Sequence, residues 1–159
     1  GAALQTGIEY VRRCTNGEYL VTFDADGQHS VEDAWDMVEA ARQKDLAIVF
    51  GSRFLDDKSQ VGWSKRLVLK TAAAVTRHKT NLDLTDAHNG LRALRRDAMR
   101  AVQISQNGMA HASQIVSQLA RSGLPWEEMP VHIAYTDYSK SKGQSLLNSV
   151  NILVDLVMR

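Results

Sequence analysis

The sequence predicts an α/β fold: a mixed, mainly parallel sheet flanked by helices. Two unbroken apolar runs, Tyr19–Phe23 and Leu46–Phe50, are separated by a helical stretch with short links. That is the pattern of a βαβ unit, whose two strands run parallel. Strands of such a unit are covered on both faces, which is why they read as continuous apolar runs rather than alternations. Each run also ends in polar residues, the first in Asp24-Ala25-Asp26-Gly27-Gln28-His29 and the second in Gly51-Ser52-Arg53. Open α/β sheets bind ligands beyond the carboxyl ends of their strands, so Asp24, Asp26 and Arg53 are expected on one edge.

The elements follow in order. Ala2–Cys14 places Leu4, Ile8 and Val11 at helical spacing, and Thr15-Asn16-Gly17 ends the helix with a turn. Tyr19–Phe23 is the first strand, expected to be buried on both faces. Ser30 starts the next helix as a cap, with Asp33 where a capping box carries Glu. Val31, Ala34, Trp35, Met37, Val38 and Ala41 form its apolar side, through about Gln43. Leu46–Phe50 is the second strand. A helix with Trp63, Leu67, Val68, Thr71, Ala72 and Val75 as its apolar stripe carries Lys65, Arg66, Lys70, Arg77 and Lys79 around it. A solvated face and a surface for an anionic substrate or lipid explain that basic character equally. Leu91–Leu94 reads as a short strand, Asp97–Val102 as a short helix, and Gly108–Arg121 as a longer one. Met129–Tyr135 alternates like a strand, and Leu146–Met158 has Leu147, Val150, Leu153, Val154 and Val157 on one helical face.

At 159 residues the chain is expected to form one domain, 1–159, with a real core. A net charge of +1 offers no general attraction for nucleic acid. The lone cysteine, Cys14, excludes an internal disulfide framework and is expected to be a small buried residue. No apolar run reaches the roughly 20 residues of a membrane-spanning helix. Both ends read as cuts through structure, so a fragment of a longer unit is expected.

Asp24 and Asp26 carry the chemistry. Standing one residue apart on extended chain, they reach the same side, and hard oxygen ligands suit Mg²⁺ or Mn²⁺ shared with a substrate phosphate. A calcium-loop reading fails, because the positions that need Gly and Glu hold His29 and Trp35. A phosphoryl-transfer nucleophile remains open on spacing. Helix capping alone is the plain alternative, and one Asp would suffice for it.

Four stretches in order, TFDADGQH, GSRF, TDAHNGLRALRR and KGQS, resemble the inverting family 2 glycosyltransferases of the GT-A fold. The polyprenyl-phosphate branch, which includes the dolichyl-phosphate mannose synthases, is the most similar in these motifs. The resemblance implies a metal and nucleotide-diphosphate site at Asp24 and Asp26, with Gln28 following it. It implies donor-phosphate contact for Arg53 and an acceptor-loop Asp at Asp86, the candidate catalytic residue. Arg92, Lys140 and Lys142 complete the phosphate-binding set, with Lys140 standing where the family carries Arg. The strands that bind the nucleotide base in the family have no counterpart before Gly1. Where many relatives carry Glu, this chain has His111.

The function this implies is metal-dependent transfer of a sugar from a nucleotide-diphosphate sugar to a polyprenyl-phosphate or other acceptor, with inversion. A cytoplasmic domain, with peripheral contact at the cytoplasmic membrane face, fits that acceptor. A non-catalytic nucleotide-sugar-binding or regulatory module that retains the fold is the alternative, and a nucleotidyltransferase is a weaker third.

Overall fold

The computed structural model describes residues 1–24, 26–55, 82–106 and 110–134. The basic helix around Trp63–Lys79, the Lys140–Ser145 element and the Leu146–Met158 helix lie outside the described residues. The elements are α1 (Ala2–Cys14), β1 (Tyr19–Thr22), α2 (Val31–Gln43), β2 (Ile48–Ser52), β3 (Arg92–Arg95), α3 (Arg96–Ala101), α4 (Ala110–Ser122) and β4 (Trp126–Pro130). The fold is mixed α/β, a central sheet flanked by helices, in keeping with a GT-A-like architecture.

The sheet order is β1-β3-β2-β4. β3 lies between β1 and β2 and is antiparallel to both, while β4 is parallel to β2. β1, β2 and β4 therefore run in one direction, as the βαβ pattern requires, with one reversed strand inserted between the first two. Residue alternation along the strands sends side chains to opposite faces. Ile48, Phe50 and Leu94 join Ile8 of α1, Met99 of α3 and Ile115, Val116 and Leu119 of α4 in one core. Val49 and Ala93 join Met37 and Ala41 of α2 in the other.

Several expectations are corrected. β1 is only partly buried, because it pairs on one side alone among the described residues, and Phe23 beyond it is 42% exposed. The apolar side of α2 is narrower than expected. Met37 and Ala41 are fully buried, whereas Val31 and Trp35 are 70% and 66% exposed. Cys14 is exposed. The last described strand is Trp126–Pro130 rather than Met129–Tyr135, and Ile133 contributes an isolated bridge to His29. The shift has a physical reason: the polar residues Glu127 and Glu128 occupy strand positions because each has a partner, Lys44 for the first and two backbone N–H groups for the second.

Ser30 caps α2 as expected, accepting from Asp33 N at 3.1 Å. Asp33 does not complete a capping box. Its carboxylate instead accepts from His132 N at 2.7 Å, tying the chain after β4 to the start of α2.

Candidate functional site

The carboxyl ends of β1, β2 and β4 and the amino end of β3 meet at one edge of the sheet. Register shows it directly: Thr22 and Phe50 both face Arg92, and Ser52 faces Pro130. Thr22 Oγ1 donates to Gly90 O at 2.6 Å, which ties the end of β1 to the loop entering β3.

Asp24 follows, with its side chain 61% exposed. Its carboxylate lies over the bare α-carbon of Gly90, where a Cβ would come 2.5 Å from Asp24 Cγ. His29 Nε2 stands 3.4 Å from Asp24 Oδ2. That contact, then the charges of His29, Arg92 and His111, hold the Asp24 carboxyl below the usual carboxylate range against partial burial. The His29 ring is buried against Phe23 at a centroid distance of 5.6 Å, and its Nδ1 has no partner among the described residues.

Asp26 sits in the turn after β1. Its Oδ1 accepts from Gln28 N at 3.1 Å, closing a local turn in which Gly27 adopts φ 74°. Gln28 O accepts from Ala134 N at 2.9 Å. Ala134 is therefore tied to the Asp26–His29 turn. Lys140 and Lys142 themselves lie outside the described residues.

Arg53 and Asp86 form a bidentate pair. Arg53 Nε and Nη2 donate to Asp86 Oδ2 and Oδ1 at 2.6 and 2.7 Å, and Arg53 N donates to Oδ2 at 3.1 Å. Asn89 Nδ2 lies 3.4 Å from the same Oδ2, and the Asp86 side chain is 1% exposed. Planar guanidinium and carboxylate make this the strongest kind of side-chain hydrogen bonding.

Arg92 is the surprise among the expected residues. It is 3% exposed, with Nε and Nη2 unpartnered among the described residues. Burial pulls its guanidinium down to about 10, while Asp24 and Asp86 work in the opposite direction. It remains a cation at neutral pH, behind the site rather than on its surface. His88, beside it, is pushed down by burial.

The sequence marks Asp24 and Asp26 as ligands for a cation, whereas the described residues include no group of three or more His, Cys, Asp or Glu that could hold a metal. Two carboxylates fit a Mg²⁺-like ion that takes its remaining ligands from water and substrate phosphates. Gly90 fits it too, because its missing side chain leaves Asp24 room. Among the described residues no helix is long and apolar enough to cross a membrane.

Sequence reasoning missed Glu128, whose carboxylate accepts from Thr85 N and Asp86 N. The available signal was two adjacent acids inside a strand. His29 was recognisable as a neighbour of the site but not as the buried partner of Asp24.

Comparison with known proteins agrees with the geometry. An undecaprenyl-phosphate mannosyltransferase of Micrococcus luteus is 32% identical over 79% of this chain and 53% of its own length. A UDP-N-acetylglucosamine–dolichyl-phosphate N-acetylglucosaminyltransferase of Methanococcus voltae is 25% identical over 99% of the chain and 64% of its own length. An uncharacterised protein of Methanocaldococcus jannaschii is 28% identical over 100% of the chain and 67% of its own length. The chain thus spans about half to two thirds of these relatives. It is similar in general to sugar transferases that act with polyprenyl phosphates. Residues 1–103 match the model of glycosyl transferase family 2, to which this chain belongs.

Proposed function

We propose that this chain is the catalytic and acceptor part of a glycosyltransferase that moves a sugar from a nucleotide-diphosphate donor to a polyprenyl-phosphate acceptor, with inversion. The observation that carries this reading is that Asp24, set over Gly90, and the Arg53–Asp86 pair stand at one edge of the sheet. The activities of the Micrococcus luteus and Methanococcus voltae relatives, transferases to undecaprenyl phosphate and dolichyl phosphate, favour a lipid-phosphate acceptor.

In the transfer step an acceptor phosphate oxygen attacks the anomeric carbon from the face opposite the donor's diphosphate. The bond from that carbon to the diphosphate oxygen breaks, and the nucleoside diphosphate leaves with the electron pair. A divalent cation held by Asp24 and Asp26 would supply positive charge to that leaving group. Arg53, its planar guanidinium held in orientation by Asp86, offers fixed positive charge on the same side, and buried Arg92 adds field from behind. Lys140 is proposed to reach the phosphates from the chain that follows Ala134.

Asp86 is the expected catalytic residue, and its carboxylate is already committed to hydrogen bonds. We assign it to orienting Arg53 rather than to removing a proton. An ionised phosphate acceptor has no proton to lose, so this arrangement suits it. The acceptor's lipid chain would bring the protein to a membrane surface.

The test is transfer from labelled nucleotide-sugars to polyprenyl phosphate by the intact protein with Mg²⁺ or Mn²⁺. Lipid-linked sugar is the expected product, abolished by Asp26→Ala. Binding of the donor without any product would favour the non-catalytic module instead.

A further inference from the structure

Glu128 lies on β4 opposite Phe50 of β2, and neither the motifs nor the proposed transfer step uses it. Its carboxylate accepts from two successive backbone N–H groups. Thr85 N donates to Oε1 and Oε2, each at 2.9 Å, and Asp86 N donates to Oε1 at 3.1 Å. Successive backbone N–H groups converging on one anion form a small nest, and charge-assisted bonds of this kind are about twice as strong as neutral ones. Burial pushes the Glu128 carboxyl up, and the bonds from Thr85 and Asp86 resist that.

A second tie reaches the same loop from β2. Ser52 Oγ and Thr85 Oγ1 are 2.6 Å apart, and Phe54 N donates to Ser52 Oγ at 3.2 Å. The loop is thus fastened to two neighbouring parallel strands at the residues where Asp86 takes hold of Arg53. From β4 the connection runs Glu128, Asp86 backbone, Asp86 carboxylate, Arg53 guanidinium. Glu127, the next residue back, serves a different end, pairing with Lys44 at the surface.

We propose that Glu128 is a positioning residue: it sets the Thr85–Asp86 backbone so that Asp86 holds the Arg53 guanidinium at the strand end where substrate phosphate binds. The grip on the loop stands on geometry alone, whereas the phosphate at Arg53 rests on the sugar-transfer reading. Glu128 itself touches no substrate. A Gln in its place retains a carbonyl oxygen for both N–H donors, so geometry survives while charge is lost. An Ala removes the grip.

The experiment is a double-mutant cycle in the intact protein, with GDP and UDP as calorimetric probes in the presence of Mg²⁺. Loss of a partly buried charge-assisted contact and the additivity expected of independent sites set the scale. Glu128→Ala should weaken diphosphate binding by about tenfold or more, and Glu128→Gln by less than about threefold. In an Arg53→Ala background, Glu128→Ala should cost less than about twofold more, because its effect acts through Arg53. A merely structural role would leave the two losses multiplicative, and that result overturns the proposal, as does unchanged binding in Glu128→Ala. Amide hydrogen exchange at Thr85 and Asp86 reads the grip separately: faster exchange in Glu128→Ala is expected, and unchanged exchange refutes it. If the unsubstituted protein bound neither diphosphate, the sugar-transfer reading and the phosphate role of Glu128 would fall together. The exchange result would still decide the grip on the loop.

Discussion

Gly90→Ala separates the needs of the site from the needs of the fold. Gly90 is not among the described glycines with positive φ, so alanine meets no backbone penalty there. The penalty is contact: a Cβ would lie 2.5 Å from Asp24 Cγ and 2.6 Å from Oδ1, where distances under 3.0 Å force a shift. The Asp24 side chain is 61% exposed and can swing into water. The cost to stability is therefore one displaced rotamer, about 1 kcal/mol, a fall in Tm of roughly 2–4 °C. To regain ordinary contact the carboxylate must move by about 1 Å, and a misplacement of that size at a reacting centre can cost ~10²-fold in rate. The expected result is a folded protein with a slightly lower Tm, a weakened Mn²⁺ response and transfer reduced by about two orders of magnitude. Thermal melts and initial rates across a Mn²⁺ titration measure both. Wild-type transfer with the wild-type Mn²⁺ requirement would refute the placement of Asp24 over Gly90 as a functional feature.

Two further predictions concern the frame. Gly7→Ala, in the exposed middle of α1 with nothing within 4 Å of the added Cβ, should raise stability by about 0.5–1 kcal/mol in urea unfolding. It also serves as the control for Gly90→Ala. Asp97 is held below the usual carboxylate range by its hydrogen bond from Arg95. Its folded value is depressed, so its contribution is present above the unfolded value of 3.8 and lost as pH falls through the folded one. The side chain is 38% exposed, so solvent screening keeps the contribution below about 1 kcal/mol. The stability difference between wild type and Asp97→Asn should shrink toward zero below about pH 4; a constant difference down to pH 2 would contradict it.

Local patterns in the sequence carry local structure well. The spacing of Leu4, Ile8 and Val11 marks α1 with its observed bounds, and Ser30 marks the start of α2. The polar strand ends at Asp24 and Arg53 do fall on one edge. Three things were not legible, each for a physical reason. Strand direction follows from the crossover, but which strand enters between β1 and β2 depends on contacts remote in sequence, Leu20 with Leu94 and Ile48 with Leu94 among them. Trp35, two residues before Met37, points about 160° around α2 from it and so away from the sheet, and an apolar tally does not tell how wide a face the sheet covers. Arg92 and Glu128 look like surface charges by type. Arg92 is buried near Asp24 and Asp86, and Glu128 has two backbone donors, so their place depends on partners that no local pattern reveals.

The two carboxylates at this edge are made unlike by their surroundings, and that difference bears on the acceptor. Asp24 faces water with its carboxyl held below the usual range, ready to meet a cation. Asp86 is sealed, with both oxygens spent on Arg53 and a third donor, the Arg53 backbone, on Oδ2. To take a proton from a hydroxyl acceptor it would have to release a buried pair, and breaking such a pair costs about 3–5 kcal/mol. A phosphate acceptor asks nothing of the kind. Asp86→Asn distinguishes the cases, because Asn retains one oxygen for Arg53 and has no basicity. If Asp86 were the base, its loss should reduce transfer by about 10²–10⁴-fold. If it orients Arg53, one of two parallel hydrogen bonds is lost, and transfer to polyprenyl phosphate should fall by roughly tenfold with a raised KM for the donor. A larger fall confined to kcat, with donor binding unchanged, would restore Asp86 to the proton-abstracting role.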